Sequence, residues 1–175
     1  MNQAHEKCLV HLVLGGARSG KTAFGMRLAE EAAREKWMIA TAEPFDDEMK
    51  ARIEQHRQER DHSWRIVEEP VDLVEALQSY ATDERVLVVD CLTIWLNNLV
   101  IHNIEAKARI AQLCEFIKRS TNKIILISNE LGMGLAPETP LGRSFRDLHG
   151  KMNQDIAHAC GKVTFVAAGL PIALK

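Results

Sequence analysis

Aromatic residues are scarce in this chain. Tryptophan, tyrosine and phenylalanine make up 5% of its 175 residues, so a core must be built mainly from aliphatic side chains. Cysteine is sparse too: Cys8, Cys91, Cys114 and Cys160 lie far apart and form no C-x-x-C pair. That excludes a disulfide framework or a cysteine zinc site, and it fits reduced, buried thiols in a cytoplasmic protein. Positive charge is not in excess, because the formal net charge is −2 and no basic block stands out. Nothing therefore draws the chain to nucleic acid or to anionic lipid in general. No apolar run approaches membrane-spanning length, and Met1–Lys7 is polar with no apolar signal core. Repeats, linkers and low-complexity stretches are missing as well. What remains, at 46% hydrophobic, suits a single well-buried α/β domain over residues 1–175, with Met1–Lys7 expected as a flexible N-terminus.

The informative stretch is Gly15-Gly16-Ala17-Arg18-Ser19-Gly20-Lys21-Thr22, which follows the apolar run Leu9–Leu14 and precedes a helical pattern from Ala23 to about Lys36. This is G-x-x-x-x-G-K-[ST] in the strand–loop–helix frame the motif requires. Its glycines let successive backbone N–H groups converge on phosphate oxygens at the positive end of a helix. Lys21 then reaches the β- and γ-phosphates, and the Thr22 hydroxyl suits Mg²⁺. The chain is expected to bind a nucleoside triphosphate.

Further along, Trp37–Ala42 has the pattern of a second strand, ending in small and hydroxyl residues as strands facing a ligand crevice do. From Pro44 to about Arg60 a polar helix is expected, opened by Asp46, Asp47 and Glu48. A short strand from Trp64 to Pro70 and a helix capped by Asp72 follow. Val86–Asp90 is a buried strand ending in a carboxylate, the form of a second phosphate-site element whose acid holds Mg²⁺ or its water. Two helical stretches (Cys91–Ile101 and Ile104–Arg119), a strand (Lys123–Glu130), a Gly/Pro loop (Leu131–Pro137) and a long helix (Pro140–Cys160) come next. Val163–Ala168 is a further strand, and Pro171–Leu174 a final edge strand. Strands alternating with helices imply a doubly wound, mainly parallel sheet flanked by helices, the α/β architecture of P-loop NTPases of the RecA-like kind.

A P-loop does not name a reaction. The chain has no GTPase-type base-reading motif, since Thr121-Asn122-Lys123-Ile124 lacks the aspartate. His56 sits among arginines, where an imidazole could attack phosphorus, or it is one polar residue on a solvated helix; spacing alone leaves both open. A single-activity small-molecule kinase and a non-catalytic nucleotide switch or nucleic-acid module are the competing readings, and the near-neutral charge disfavours nucleic acid.

The P-loop, Ile39–Ala42, Asp47-Glu48-Met49, and Arg52-Ile53 followed by His56-Arg57 and Arg60 resemble the bifunctional adenosylcobinamide kinase/adenosylcobinamide-phosphate guanylyltransferase family of cobalamin biosynthesis. So do Val67–Pro70, Asp90–Thr93, Trp95–Asn98, Asn129–Gly134, Phe145–Asp147, Gly150 and Asn153-Gln154. The resemblance runs over about residues 9 to 175. It implies phosphorylation of adenosylcobinamide by ATP or GTP, then attack by a histidine on the α-phosphate of GTP and passage of GMP to adenosylcobinamide phosphate. The family histidine falls at His56. Gly15, Gly16, Ala17, Arg18, Ser19, Gly20, Lys21 and Thr22 would cradle the phosphates, with Lys21 catalytic. Thr41, Ala42, Glu43, Arg57, Gln58, Glu59 and Arg60 would line the guanine nucleotide site, and Glu68 and Asp90 carry acidic positions. Thr22 and Asp90 are the implied magnesium partners, Glu130 either a catalytic group or a loop cap, and the family's assembly is a homotrimer.

Overall fold

A computed structural model of the protein describes residues 8–33, 35–43 and 63–175. Its centre is the strand β1 (Val10–Gly15), whose Leu12, Val13 and Leu14 are buried on alternating faces. An aliphatic strand covered on both sides belongs inside a parallel sheet. Six more strands complete it: β2 (Glu35–Ala40), β3 (Trp64–Glu68), β4 (Arg85–Asp90), β5 (Lys123–Asn129), β6 (Lys162–Ala167) and β7 (Leu170–Ala173). The order is β3-β2-β4-β5-β1-β6-β7, parallel throughout except for the antiparallel β6–β7 pair. This is the mainly parallel, helix-flanked sheet the alternating pattern implies.

Helix α1 (Lys21–Ala32) packs on one face, over Val13, Val88, Ile125 and Ile127. The other face carries α2 (Leu73–Tyr80), α3 (Leu92–Ile101), α4 (Ala106–Arg119) and α5 (Pro140–Ala159), which bury Leu12, Leu87, Leu126, Trp95 and Ile156. Aliphatic side chains dominate both layers, as the low aromatic content requires. Helix starts follow local chemistry. Thr139 accepts the Gly142 N–H at 3.1 Å, with Pro140 in the first turn of α5. Glu105 accepts the Lys107 N–H at 3.0 Å to open α4, which ends on Lys118 and Arg119 beside its negative pole.

Three details differ from the sequence pattern. Helix α1 stops at Ala32 rather than near Lys36, because Ala33 turns extended and β2 begins at Glu35 with charged residues at its outer end. Asp72 stands at the N-cap of α2 but does not cap it: its carboxylate pairs with Arg109 at 2.9 Å, while Glu69 accepts the Val71 and Asp72 N–H groups at 3.0 and 2.8 Å. The final edge strand exists, joined to β6 by the two-residue turn Ala168-Gly169, both at positive φ (51° and 80°). The helix expected from Pro44 to Arg60 and the flexible N-terminus lie outside the described residues.

Candidate active site

Where β1 ends, the chain curls through Gly16–Gly20 into α1, and the curl is tight. A Cβ on Gly15 would collide with Ser19 Oγ and stand 2.6 Å from the Val166 carbonyl oxygen, so no side chain fits there. Arg18 and Gly20 take positive φ (55° and 91°), and Ser19 N–H closes a turn on the Gly16 carbonyl at 3.3 Å. Two neighbours brace the loop from outside. Glu130 N–H donates to Gly15 O at 2.9 Å, and Gly169 N–H, from the β6–β7 turn, donates to Ser19 O at 2.8 Å. The Lys21 ammonium lies 3.3 Å from Gly16 O, folded over its own loop. Backbone N–H groups at the start of α1 thus surround a concave, positively biased site.

Across the sheet's C-terminal edge, Glu68, Ala40 and Asp90 stand in register on β3, β2 and β4. The side-chain alternation of β4, with Val86 and Val88 in the α1 layer, sends Asp90 to the same face as the P-loop. The thiol of Cys91 reports on this neighbourhood. Burial, then the Asp90 carboxylate, pushes it up to about 11, and the Lys21 ammonium acts on it in the opposite sense. Thr41 clamps the segment: its hydroxyl donates to Cys91 O at 2.8 Å and accepts the Cys91 N–H at 2.9 Å, and its own N–H donates to Asp90 O at 3.1 Å. Asn98 Nδ2 then donates to Thr41 O (2.7 Å) and Pro70 O (3.0 Å), tying α3 to the ends of β2 and β3.

A second buried polar cluster holds the end of β5. Asn129 N–H donates to Thr93 Oγ1 at 2.9 Å, and Thr93 in turn meets His149 Nε2 at 2.9 Å. Asn153 Nδ2 donates to Asn129 O at 2.9 Å, and Ser128 Oγ to Asn153 Oδ1 at 2.8 Å. Burial holds the His149 imidazole below the usual histidine range, with Glu130 opposing.

The sequence-predicted residues divide clearly. Gly15–Thr22, Thr41, Ala42, Glu68 and Asp90 gather at the C-terminal edge of the sheet. Glu43 faces His102 instead, with Oε2 2.9 Å from Nε2. Glu130 accepts the Gly132 N–H, the geometry of a loop cap, while its backbone braces Gly15. His56, Arg57, Gln58, Glu59 and Arg60 lie outside the described residues. Sequence reasoning placed Thr93, Asn98 and Asn153 within the family resemblance without giving them a role, and it missed His149 and Gly169. Gly169 carried a local signal, a two-residue turn between apolar segments.

For magnesium, the chemistry of the donors is suitable. A threonine hydroxyl at the start of α1 and a carboxylate at the end of β4 are hard oxygen ligands. Mg²⁺ characteristically takes one or two such ligands and completes its shell with phosphates and water. Among the described residues no cluster of three or more His, Cys, Asp or Glu could hold a metal by itself.

A strand, a glycine-rich loop with Lys21 and Thr22, and a parallel acid-tipped strand one place beyond β5 define a P-loop NTPase. The RadB recombinase has this fold as well: its crystal structure superposes with a TM-score of 0.52 at 13% identity, over 91% of this chain and 74% of that one. The sequence is more specific. Residues 11–174 match the family model described as cobinamide kinase / cobinamide phosphate guanyltransferase. The bifunctional adenosylcobalamin biosynthesis protein CobP of Pseudomonas aeruginosa is 44% identical over 94% of this chain and 96% of its own length. The corresponding CobU proteins of Escherichia coli and Salmonella typhimurium are 36% and 33% identical, each over 94% of this chain and 98% of their own. The chain belongs to the cobinamide kinase / cobinamide phosphate guanyltransferase family and is a bifunctional enzyme of adenosylcobalamin biosynthesis.

Proposed function

We propose that both activities use one nucleotide site at the P-loop and that the second runs through a covalent guanylyl-histidine on His56. The observation carrying the proposal is the P-loop itself, braced by Glu130 and Gly169 and facing Asp90. In the kinase step the hydroxyl oxygen of adenosylcobinamide bonds to the γ-phosphorus of ATP or GTP, and the bond to the β-phosphate oxygen breaks. The hydroxyl proton passes to solvent. Lys21 and the loop N–H groups of Gly15–Thr22 hold the phosphates in line and offset their charge. Magnesium, when bound by Thr22 and Asp90, supplies further neutralisation of phosphate charge. In the second step an imidazole nitrogen of His56 bonds to the α-phosphorus of GTP, and pyrophosphate leaves. A phosphate oxygen of adenosylcobinamide phosphate then takes the GMP group and returns the imidazole. Splitting the transfer in two spares the large corrinoid and GTP from meeting at one centre. Thr41, Ala42, Glu43 and Glu68, with Arg57–Arg60, complete the guanine nucleotide site in this scheme.

The 175 residues act as one domain, assemble as a homotrimer and work in the cytoplasm. The free thiols Cys8, Cys91, Cys114 and Cys160 support a reducing location, and among the described residues no helix is long and apolar enough to cross a membrane. The decisive experiment incubates GTP radiolabelled at the α-phosphate with wild type and His56→Asn, with Mg²⁺ and no corrinoid. Acid-labile, alkali-stable label on wild type alone is the expected result. An unlabelled wild type that binds GTP normally removes the covalent step.

A further inference from the structure

We infer that Asn129 is a catalytic residue of the kinase step, its carboxamide donating a hydrogen bond to the γ-phosphate as it is transferred. The proposal rests on the P-loop holding the triphosphate. Four observations converge on it.

Asn129 ends β5, the strand between the P-loop strand β1 and the Asp90 strand β4, and it pairs in register with Gly15. Alternation then settles its direction. Ile125 and Ile127 pack in the α1 layer, Ile124 and Leu126 in the opposite one, and Ser128 bonds to Asn153 on α5. Asn129 therefore projects to the α1 face, beside the start of α1 and on the same side as Asp90.

Its backbone is fixed with unusual thoroughness. Thr93 takes the N–H and Asn153 gives to the carbonyl, both at 2.9 Å, from two different helices. Thr93, Ser128, His149 and Asn153 are all buried to do this, between 0% and 7% exposed. Buried polar groups are costly unless fully paired, and apolar residues would fill the same space more stably. A network of this kind makes sense where one position must be held within a fraction of an ångström.

Finally, the half-buried Asn129 carboxamide has no hydrogen-bond partner among the described residues. Its neighbours at this edge are spoken for: Thr41 is tied to Cys91, and Glu130 to Gly132. Two N–H donors carried on a fixed backbone beside the phosphate loop, and unused by the fold, are suited to charge that develops in the transition state. Thr93, His149 and Asn153 are positioning residues for that group.

The test uses the full chain, with ATP and adenosylcobinamide as substrates, comparing wild type, Asn129→Ala, Asn129→Asp and Lys21→Ala. Asn129→Ala is expected to lower the kinase kcat roughly 100-fold, the scale of losing one preorganised donor, with KM for ATP and the affinity for ADP changed less than about threefold. Asn129→Asp keeps the shape but places a carboxylate against the γ-phosphate, so it is expected to fall below the alanine variant. The inference is overturned if Asn129→Ala stays within about threefold of wild type in kcat, loses ADP affinity in parallel, or proves less active than Asn129→Asp. Lys21→Ala separates this from the underlying reading. If it turns over like wild type, the P-loop does not hold the reacting triphosphate; if it is inactive while Asn129→Ala is normal, only the role of Asn129 fails.

Discussion

The Lys21 ammonium is hydrogen-bonded to Gly16 O at 3.3 Å, a carbonyl of the very loop it closes. The loop satisfies its own cation, so Lys21 stands over the loop and gives up one modest bond when it turns to a phosphate. Lys21→Ala should therefore fold normally but lose nucleotide-dependent stabilisation. A ligand at about 100 times its Kd adds about 2.7 kcal/mol, which corresponds to a Tm rise of roughly 5–10 °C for a chain of this size. Thermal scans with ATP and Mg²⁺ should show that rise in wild type and less than about 2 °C in the variant.

The two leading glycines of the loop should respond oppositely to one methyl group. At Gly15 the new Cβ meets Ser19 Oγ and, at 2.6 Å, a backbone oxygen that has no freedom to move; at Gly16 it meets nothing within 4 Å. Gly15→Ala is expected to cost about 1–3 kcal/mol and to abolish triphosphate binding, as overpacking does. Gly16→Ala should stay within about 0.5 kcal/mol of wild type. Urea titrations of the two variants, read beside ATP affinity, check the contrast.

Thr41 satisfies both backbone groups of Cys91 with one hydroxyl. Thr41→Val keeps the volume and strands a buried N–H and a buried C=O, so a loss of about 2–4 kcal/mol is expected from two unsatisfied groups. Thr41→Ser, which retains the hydroxyl, should recover most of it. Because the Thr41 hydroxyl fixes Cys91, the residue that follows Asp90, kinase activity should fall in the valine variant and return in the serine one.

Acid should weaken the fold through two histidines. Burial lowers the pKa of His149, opposed by Glu130, and burial followed by Lys162 lowers that of His11, which bonds Thr164 Oγ1 at 2.8 Å. Depressed histidines bind fewer protons folded than unfolded, so their contribution is intact above the unfolded value of about 6.5 and is lost progressively below it. The urea midpoint should drop between pH 7.5 and pH 5.5. His149→Gln and His11→Gln should each flatten that drop; an unchanged slope in both variants would assign the acid sensitivity elsewhere.

Much of this enzyme is written locally. Gly15–Thr22 between an apolar strand and a helix forces a phosphate loop, because only that spacing lets glycine backbone and one lysine converge on an anion. Val86–Asp90 shows itself as a buried, acid-tipped strand through its own hydrophobicity and its terminal charge. Strand–helix alternation yields the parallel sheet, since successive parallel strands require a crossover between them. Even the edge strand β7 could be located, although its turn was not assigned its task.

Other features had no local signature. Asp72 looks like a helix cap in sequence, and Arg109 drew it away across α4. Glu43 faces His102, 59 positions later. Gly169 supports Ser19 across most of the chain's length, and Thr93, His149 and Asn153 converge on Asn129 from two helices.

The sequence by itself determined the fold class, the phosphate loop and the family, because each is read from short motifs and hydrophobic patterns whose backbone preferences and spacing act over a few bonds. Only the tertiary structure decided which polar groups hold that loop in place and which carboxamide is left facing it. Those partners are chosen by the packing of α3 and α5 against the sheet, a long-range arrangement that no short stretch of residues encodes.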